Sequence, residues 1–275
     1  MVRYDQLRRL IRLYTHRLRL LYDVQARRAP LVVANSVPKA GSHLLARCLD
    51  LMGLVNSRQH VHYLHSRSHM IKAFHRVRPG EFLTAHLPYD AFVARLVHDI
   101  QARMVVIIRD PRDVVVSHVH YVTYKDKNHR LRAYYRRLPN DHARLMTSIR
   151  GIPASPDAPY IYLPDIDQRF QGILRWREHG AYVVRFEDLI GPQGGGDAQR
   201  QRDEIQAIAR HIGWPLTSEQ VERIAQALFY QRSATFRKGI IGDWKRHFTD
   251  EHKRAFKEVA GDLLIRLGYE QDANW

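Results

Sequence analysis

A short turn, Pro38 to Ser42, places Lys39 and Gly41 where the chain changes from one predicted element to the next. The apolar run 31–34 has no helical period, whereas apolar residues recur at helical spacing over 44–52, so the sequence predicts strand, loop and helix. A glycine loop that leads into a helix presents backbone N–H groups and the positive end of the helix dipole, and Lys39 adds a full charge. The turn is therefore either an anion-binding loop or an ordinary connection.

The helix after this turn has a marked beginning and end. Ser42 stands where an N-cap residue is expected, and Gly53 stands where a glycine ends many helices. Cys48 lies on the apolar side of this helix and is predicted to be a core residue. As the single cysteine of the chain, it excludes an intramolecular disulfide and suits a reducing compartment.

A second cation follows the apolar segment 104–108, which is typical of a buried strand. Asp110 is expected to cap the next helix, Pro111 to occupy its first position and Asp113 to lie in its first turn. The start of the helix thus explains these three residues. It does not explain Arg109, a charged side chain at the end of a predicted strand.

A histidine, His86, ends the predicted strand 82–86 and precedes Leu87-Pro88. Side chains at the carboxyl ends of parallel strands point into the crevice where open α/β sheets bind ligands. A histidine there could act as a base or have a structural role, and its residue type leaves both interpretations open.

Five further histidines fall within 56–80, in a segment with several arginines and a lysine. Neither a carboxylate nor a cysteine accompanies these histidines, and the basic neighbours would repel a cation. We therefore expect no metal site.

The chain of 275 residues carries a formal net charge of +16 and has an isoelectric point near 10.2. This charge calls for an anionic partner, such as a nucleotide, a nucleic acid, a membrane face or an acidic polysaccharide. The sequence has no apolar run long enough to cross a membrane and no signal-peptide core, so a cytoplasmic, soluble protein is expected.

The first 30 residues predict a basic amphipathic helix with an apolar stripe. We expect this stripe to pack on the protein or to pair with a second subunit, and peripheral membrane contact is the alternative. Residues 31–275 are expected to form a single domain with an insertion at the rim near 121–167. The stripe consists of Leu7, Leu10, Ile11, Tyr14, Leu18 and Leu21.

Five segments, in this order, resemble the sulfotransferases that use 3′-phosphoadenosine-5′-phosphosulfate (PAPS). The strict P-loop pattern is absent, because here the lysine precedes the glycine. The matching segments are PKAGSHL at 38–44, against the family's PKSGTTW; HLP at 86–88; RDPRDVVVS at 109–117, against R-[DN]-P-[RK]-D-x-x-x-S; FEDL at 186–189, against [YF]-E-D-[LM]; and RKGIIGDWKRHF at 237–248, against R-K-G-x-x-G-D-W-K-x-x-[FL].

The resemblance implies a P-loop-like α/β domain in which helices flank a central parallel β-sheet with strands near 31–36, 82–86, 104–108 and 181–186. It implies that Lys39 stabilises the leaving phosphate and that His86 is the general base. Within the loop, His43 replaces a hydroxyl residue and Leu44 replaces a tryptophan that stacks on adenine. The implied cofactor-binding residues are Lys39, Ala40, Gly41, Ser42, His43, Leu44, Arg109, Ser117, Phe186, Phe229, Arg237, Lys238 and Gly239.

The predicted reaction transfers a sulfuryl group from PAPS to a hydroxyl of an unidentified acceptor, which leaves adenosine 3′,5′-bisphosphate (PAP). An amine acceptor stays open, and the basic residues of 130–137 favour an anionic or membrane-associated acceptor. A small-molecule kinase is disfavoured by the order of the loop residues and by the lack of a strand ending in a metal-binding aspartate. A nucleic-acid-binding protein would use the net charge and the tyrosines of 121–137, but no specific nucleic acid is expected.

Overall fold

The computed structural model describes residues 2–21, 23–158, 160–229 and 239–275. The helices are α1 (Val2–Arg19), α2 (Val24–Arg27), α3 (Ser42–Leu51), α4 (Arg67–His75), α5 (Ala91–Asp99), α6 (Pro111–His120), α7 (Arg132–Arg137), α8 (Asp141–Arg150), α9 (Ile166–Leu174), α10 (Phe186–Leu189), α11 (Ala198–His211), α12 (Ser218–Leu228) and α13 (Asp250–Arg266). The strands are β1 (Val32–Ser36), β2 (Val55–His62), β3 (Glu81–His86), β4 (Arg103–Ile108) and β5 (Tyr182–Arg185). A π-helical turn at Tyr121–Lys125 continues α6, and 3₁₀ turns occur at Arg175–His179, Pro192–Gly194 and Asp243–Arg246.

These elements form two compact units. The first unit comprises residues 1–37, 41–108 and 173–230. The second comprises residues 38–40, 109–172 and 231–275. The prediction of a single domain over 31–275 with a rim insertion stays a prediction.

A five-stranded parallel sheet in the order β2-β3-β1-β4-β5 is the centre of the first unit. Val33 of β1 is in register with Leu83 of β3 and with Met104 of β4. Every residue of β1 is buried, as expected for a central strand of a parallel sheet covered on both faces. Helices flank the sheet, so the predicted α/β class with a parallel sheet is confirmed.

Strand β2, which lies in the histidine-rich segment, was not predicted from the sequence. It pairs with β3 at the edge of the sheet, and its register shifts between Asn56 and His60. Arg58, inside this bulge, has a φ of 64°. An edge strand needs few apolar residues, so its polar sequence gives no apolar run or simple alternation.

Helix α1 binds the first unit through its polar side, so its apolar stripe does not pack on the protein, one of the two arrangements expected; pairing with a second subunit stays a prediction. Arg12 donates to the carboxylate of Asp50 at 2.7 Å, and Arg17 donates to both oxygens of the buried Glu81 at 2.7 and 3.0 Å. Leu13 is buried, whereas most of the stripe is exposed. The helix ends at Arg19, before the short helix α2.

The second unit has its own core, formed where α6, α8 and α13 pack together. Tyr135 of α7 and Phe256 of α13 are among its largest fully buried side chains. The segment 121–167, predicted as a rim insertion, contains α7, α8 and an antiparallel bridge between Ile152 and Leu163.

Candidate active site

The turn before α3 forms a helix N-terminus in the first unit. Gly41 is the N-cap residue, with a φ of 111° and no side-chain hydrogen bond to the first turn. The prediction that Ser42 caps the helix was wrong, because Ser42 is already its first helical residue. The positive end of the α3 dipole therefore lies at a backbone turn without a capping side chain, an arrangement suited to an anion.

The side chain of Phe186 packs against this turn. A Cβ atom added to Gly41 would lie 2.7 Å from Cδ2 of Phe186 and 3.2 Å from Cδ1 of Ile107. Only glycine fits both this contact and the left-handed φ. Phe186 is buried at the start of α10, so the structure shows it as a support of the turn, a role that sequence reasoning missed.

Lys39 belongs to the second unit and has a strained backbone, with a φ of 75°. Its Nζ lies 3.7 Å from the centroid of the Tyr121 ring. Left-handed backbone in a residue other than glycine costs about 1–2 kcal/mol and often occurs at functional sites. Ala40, the next residue, is fully buried.

His86 ends β3, as predicted, and its Nδ1 lies 3.0 Å from the backbone oxygen and 3.0 Å from Oγ of Ser36. A carbonyl oxygen can only accept, so this contact assigns the proton to Nδ1 and leaves the lone pair on Nε2. The rings of His60 and His62 lie edge-on at 5.1 and 5.9 Å from the His86 ring. Burial, followed by the charge of His65, lowers the pKa of His60, which favours a neutral neighbour for His86.

Arg109 in the second unit is buried and binds two chain segments that are far apart in sequence. Its Nη2 donates to Oδ2 of Asp113 at 3.0 Å and to the backbone oxygen of Ile240 at 2.7 Å. Asp113 also accepts from the N–H groups of Gly242 and Trp244, each at 2.9 Å. Burial raises the pKa of Asp113, an effect opposed first by Arg109. From its sequence position Asp113 was predicted only to lie in the first turn of the helix, although its i, i+4 spacing from Arg109 also allows an ion pair.

The other predicted cofactor residues are placed as follows. Ser117 lies one turn after Asp113 on α6 and is half-buried. His43 and Leu44 lie in the first turn of α3. Phe229 is the C-cap residue of α12 and is half-buried, while Gly239 has a φ of 61° next to Ile240, the partner of Arg109. Arg237 and Lys238 lie outside the described residues.

Arg112 is a buried cation whose role the sequence did not reveal. It donates to both oxygens of Asp110 and to Glu270. Its guanidinium lies 4.0 Å from the centroid of the Trp244 ring and 4.6 Å from that of Trp275. Arg112 thus joins the start of α6 to the residues on either side of α13.

His118 is a buried histidine on α6, hydrogen-bonded through Nδ1 to Oγ of Ser148 at 3.0 Å. Burial lowers its pKa well below the ordinary value, and the charges of Arg169, His129 and Lys39 act in the same direction. His118 is therefore neutral at neutral pH.

In the part of the chain that the structure describes, no group of three or more histidine, cysteine or carboxylate side chains is arranged to hold a metal ion. Each helix in that part is too short or too polar to span a bilayer.

Residues 29–268 match the family described as the sulfotransferase domain. The chain belongs to this family. The sulfotransferase family predicted from the motifs is thus confirmed, and the match includes the turn at Gly41, His86 and Arg109.

Individual sulfotransferases share about a quarter of their aligned residues with the chain. The chain is 26% identical over 215 residues to Sulfotransferase 6B1 of Danio rerio, covering 70% of this chain and 64% of that protein. It is 24% identical over 216 residues to Sulfotransferase 2B1 of Mus musculus, covering 69% of this chain and 56% of that protein. The chain thus spans about three fifths of the length of these curated relatives.

Solved sulfotransferase structures share the fold. Mouse sulfotransferase SULT7A1 complexed with PAP aligns with a TM-score of 0.60 and 20% identity, over 87% of this chain and 85% of that chain. Retinol dehydratase in complex with androsterone and the inactive cofactor PAP aligns with a TM-score of 0.56 and 16% identity, over 87% and 83%. At these identities the likeness shows the fold, which agrees with the predicted P-loop-like class.

Proposed function

We propose that the chain transfers a sulfuryl group from PAPS to a hydroxyl group of an acceptor. The observation that carries the proposal is the turn at Gly41 within the matched sulfotransferase domain, where a helix N-terminus follows a strained lysine. This donor set fits a phosphosulfate, because backbone N–H groups and one flexible cation together bind a compact anion. The related structures that contain PAP support the choice of nucleotide.

We assign the 5′ end of PAPS to the turn and its 3′-phosphate to Arg109, Ser117 and the segment 237–239. Arg109 is held by Asp113 and by the backbone oxygen of Ile240, so its guanidinium is positioned before any ligand arrives. Preorganisation of this kind reduces the entropy lost on binding. Phe186 and Phe229 are proposed to border the nucleotide, Phe186 through its contact with the turn.

His86 is proposed to take the proton of the acceptor hydroxyl on Nε2 as the acceptor oxygen forms its bond to sulfur. The bond between sulfur and the bridging oxygen then breaks, and Lys39 with the N–H groups of the turn stabilises the charge left on the phosphate. The contact between Nδ1 of His86 and the Ser36 carbonyl supports this role, because it keeps the lone pair on the other nitrogen.

The class of acceptor is suggested by a cavity of about 270 Å³ in the first unit. Arg9, Arg58, His60 and Thr84 line it together with three polar side chains. His60 connects the cavity to His86, since the two rings are 5.1 Å apart. Two arginines in a polar cavity favour an acceptor that carries a negative group beside its hydroxyl.

A cytoplasmic location is also part of the proposal. It is supported by the single cysteine of the chain, Cys48, which is buried and forms no disulfide. Burial raises the pKa of its thiol to about 12.

The test is calorimetric titration of the full chain with PAP, ATP–magnesium and adenosine 5′-phosphate, followed by transfer of radiolabelled sulfate from PAPS into cell extracts. We expect PAP to bind, and Arg109→Ala to weaken PAP far more than adenosine 5′-phosphate, which lacks the 3′-phosphate. Arg103→Ala is the matched control, because Arg103 is exposed at the start of β4. Binding of ATP–magnesium but not PAP would indicate a kinase. Salt-dependent nucleic-acid binding without PAP binding would indicate a nucleic-acid-binding protein.

A further inference from the structure

The apolar stripe of α1 faces away from the unit to which the helix is bound. Leu7, Ile11, Tyr14 and Leu18 follow the spacing i, i+4, i+7, i+11, which places them on one side of a helix. These four side chains and Leu21 are between 54% and 71% exposed. A continuous apolar stripe exposed to solvent marks a surface that binds another protein or a membrane.

The orientation of the helix is set by polar contacts on its opposite side. Arg12 donates to Asp50 and to the backbone oxygen of Leu54, and Arg17 holds Glu81, whose side chain is fully buried. Turning α1 to bury its stripe would leave the Glu81 carboxylate buried without its cation, which costs several kcal/mol. The stripe is therefore held outward by the fold.

Charge indicates what covers the stripe. The first 28 residues contain eight arginines and two aspartates. Arg8 and Arg19 lie along one flank of the stripe, at the spacing i, i+11, and both are exposed; Arg19 also pairs with Asp23 at 2.7 Å. Pairing two copies of the chain through the stripe would bring two such strongly basic segments together, whereas lipid phosphates would offset their excess of positive charge.

We propose that α1 lies in the headgroup region of an anionic membrane. Leu7, Ile11 and Leu18 enter the boundary between headgroups and acyl chains, and Arg8 and Arg19 contact the lipid phosphates. Tyr14, between them, has the amphipathic ring that favours this interface. The helix lies on the membrane surface.

The test is co-sedimentation of the full chain with phosphatidylcholine vesicles, with and without phosphatidylserine. We expect binding to require phosphatidylserine and to weaken with salt. The variant Ile11→Gln/Leu18→Gln should bind at least ~10-fold more weakly, since it removes two inserted side chains without changing the charge. Its matched control is Leu64→Gln/Ile71→Gln, which changes two exposed apolar residues of the same unit outside α1 and should bind as the parent does.

The electrostatic part has its own variant, Arg8→Gln/Arg19→Gln, which should weaken binding to phosphatidylserine and reduce its salt dependence. The proposal is overturned if the chain does not bind vesicles, or if it binds neutral vesicles as strongly as those with phosphatidylserine. It is also overturned if Ile11→Gln/Leu18→Gln, the stripe variant, and its control Leu64→Gln/Ile71→Gln lose vesicle affinity equally. A dimer of the parent chain that the stripe variant converts to a monomer, measured by light scattering, would assign the stripe to a second copy instead. Titration with PAP is independent of all these outcomes.

Discussion

The carboxylate of Asp113 accepts a hydrogen bond of 2.9 Å from the backbone N–H of Trp244, 131 residues later in the chain. Its other oxygen accepts from Gly242 and from the Arg109 guanidinium. One buried side chain thus fixes the start of α6 to the segment that follows Gly239 and orients the arginine assigned to the 3′-phosphate. Two motifs that are distant in sequence therefore depend on a single carboxylate.

Asp113→Asn should weaken PAP binding at least ~10-fold and lower the free energy of unfolding by about 1–3 kcal/mol, because the amide NH₂ would face donors in place of an acceptor. Calorimetry and urea unfolding measure the two effects. The control Asp141→Asn alters an aspartate that is 61% exposed and also pairs with an arginine, and it should change neither value appreciably. Unchanged PAP affinity in Asp113→Asn would separate Asp113 from the nucleotide site.

Gly41→Ala should abolish PAP binding in a protein that still folds, because the added Cβ would collide with Phe186 and the left-handed φ would be strained. The double variant Gly41→Ala/Phe186→Ala removes the collision but keeps the strain. It should therefore fold better than Gly41→Ala while binding PAP no better than Phe186→Ala. Circular dichroism and calorimetry compare the three proteins. Normal PAP affinity in Gly41→Ala would contradict the assignment of the turn.

His118 should make the stability of the protein depend on pH. Its pKa is lowered in the folded state, so below about pH 6.5 the unfolded chain takes up the proton first, and stability falls as pH falls, by at most ~1.4 kcal/mol per pH unit. Above pH 6.5 this contribution is constant. Urea unfolding from pH 7 to pH 5 should show a shallower loss for His118→Gln than for the parent, whereas His98→Gln, at an exposed position, should leave the slope unchanged. If the free energy of unfolding falls with pH as steeply in His118→Gln as in the parent, His118 is not the source of the pH dependence.

Arg112→Met should lower the free energy of unfolding by about 3–5 kcal/mol, because it leaves the Asp110 and Glu270 carboxylates without their buried cation. The comparison is Arg150→Met, which breaks an exposed pair with Glu258 and should cost less than about 1 kcal/mol. Thermal and urea unfolding of both variants give the difference. Equal losses of unfolding free energy in the two variants would mean that burial does not strengthen the ion pairs of Arg112 with Asp110 and Glu270.

His86→Ala should reduce turnover at least ~100-fold while PAP affinity stays within about twofold of the parent, since a positioned base contributes ~10²–10⁴ to the rate. Ser36→Ala should reduce turnover less than ~10-fold, because the backbone carbonyl that orients His86 remains. Initial rates with the acceptor found in the sulfate-transfer screen test both. Turnover of His86→Ala close to that of the parent would remove His86 from the proposed mechanism.

Local pattern was sufficient for the central strands and for the start of α6. β1 and β4 are apolar runs, and Asp110 caps α6 through the N–H of Arg112. Strand β2 was missed because an edge strand of polar residues carries little periodic signal. The side of α1 that binds the protein could not be read from its apolar stripe, since its arginines find partners such as Glu81 that no local period reveals.

The same limit applies to the candidate site. The motifs located Lys39, His86 and Arg109 because each stands at the end of a strand or in a glycine turn. The partners that orient these residues lie far away in sequence, as Ile240 does for Arg109. Such pairs arise only from the tertiary fold, so residue spacing could suggest the ligand groups but not the contacts that hold them.

The bulge in β2 has a consequence for the chain during its synthesis and at high concentration. An outer strand with a regular ladder of backbone donors and acceptors can recruit a strand from a neighbouring molecule and begin aggregation. Between Asn56 and His60 this ladder is interrupted, and the exposed Arg58 adds a charge at the interruption. Intermolecular β-pairing is thereby discouraged along this border, which helps a strongly apolar set of inner strands to remain within one molecule.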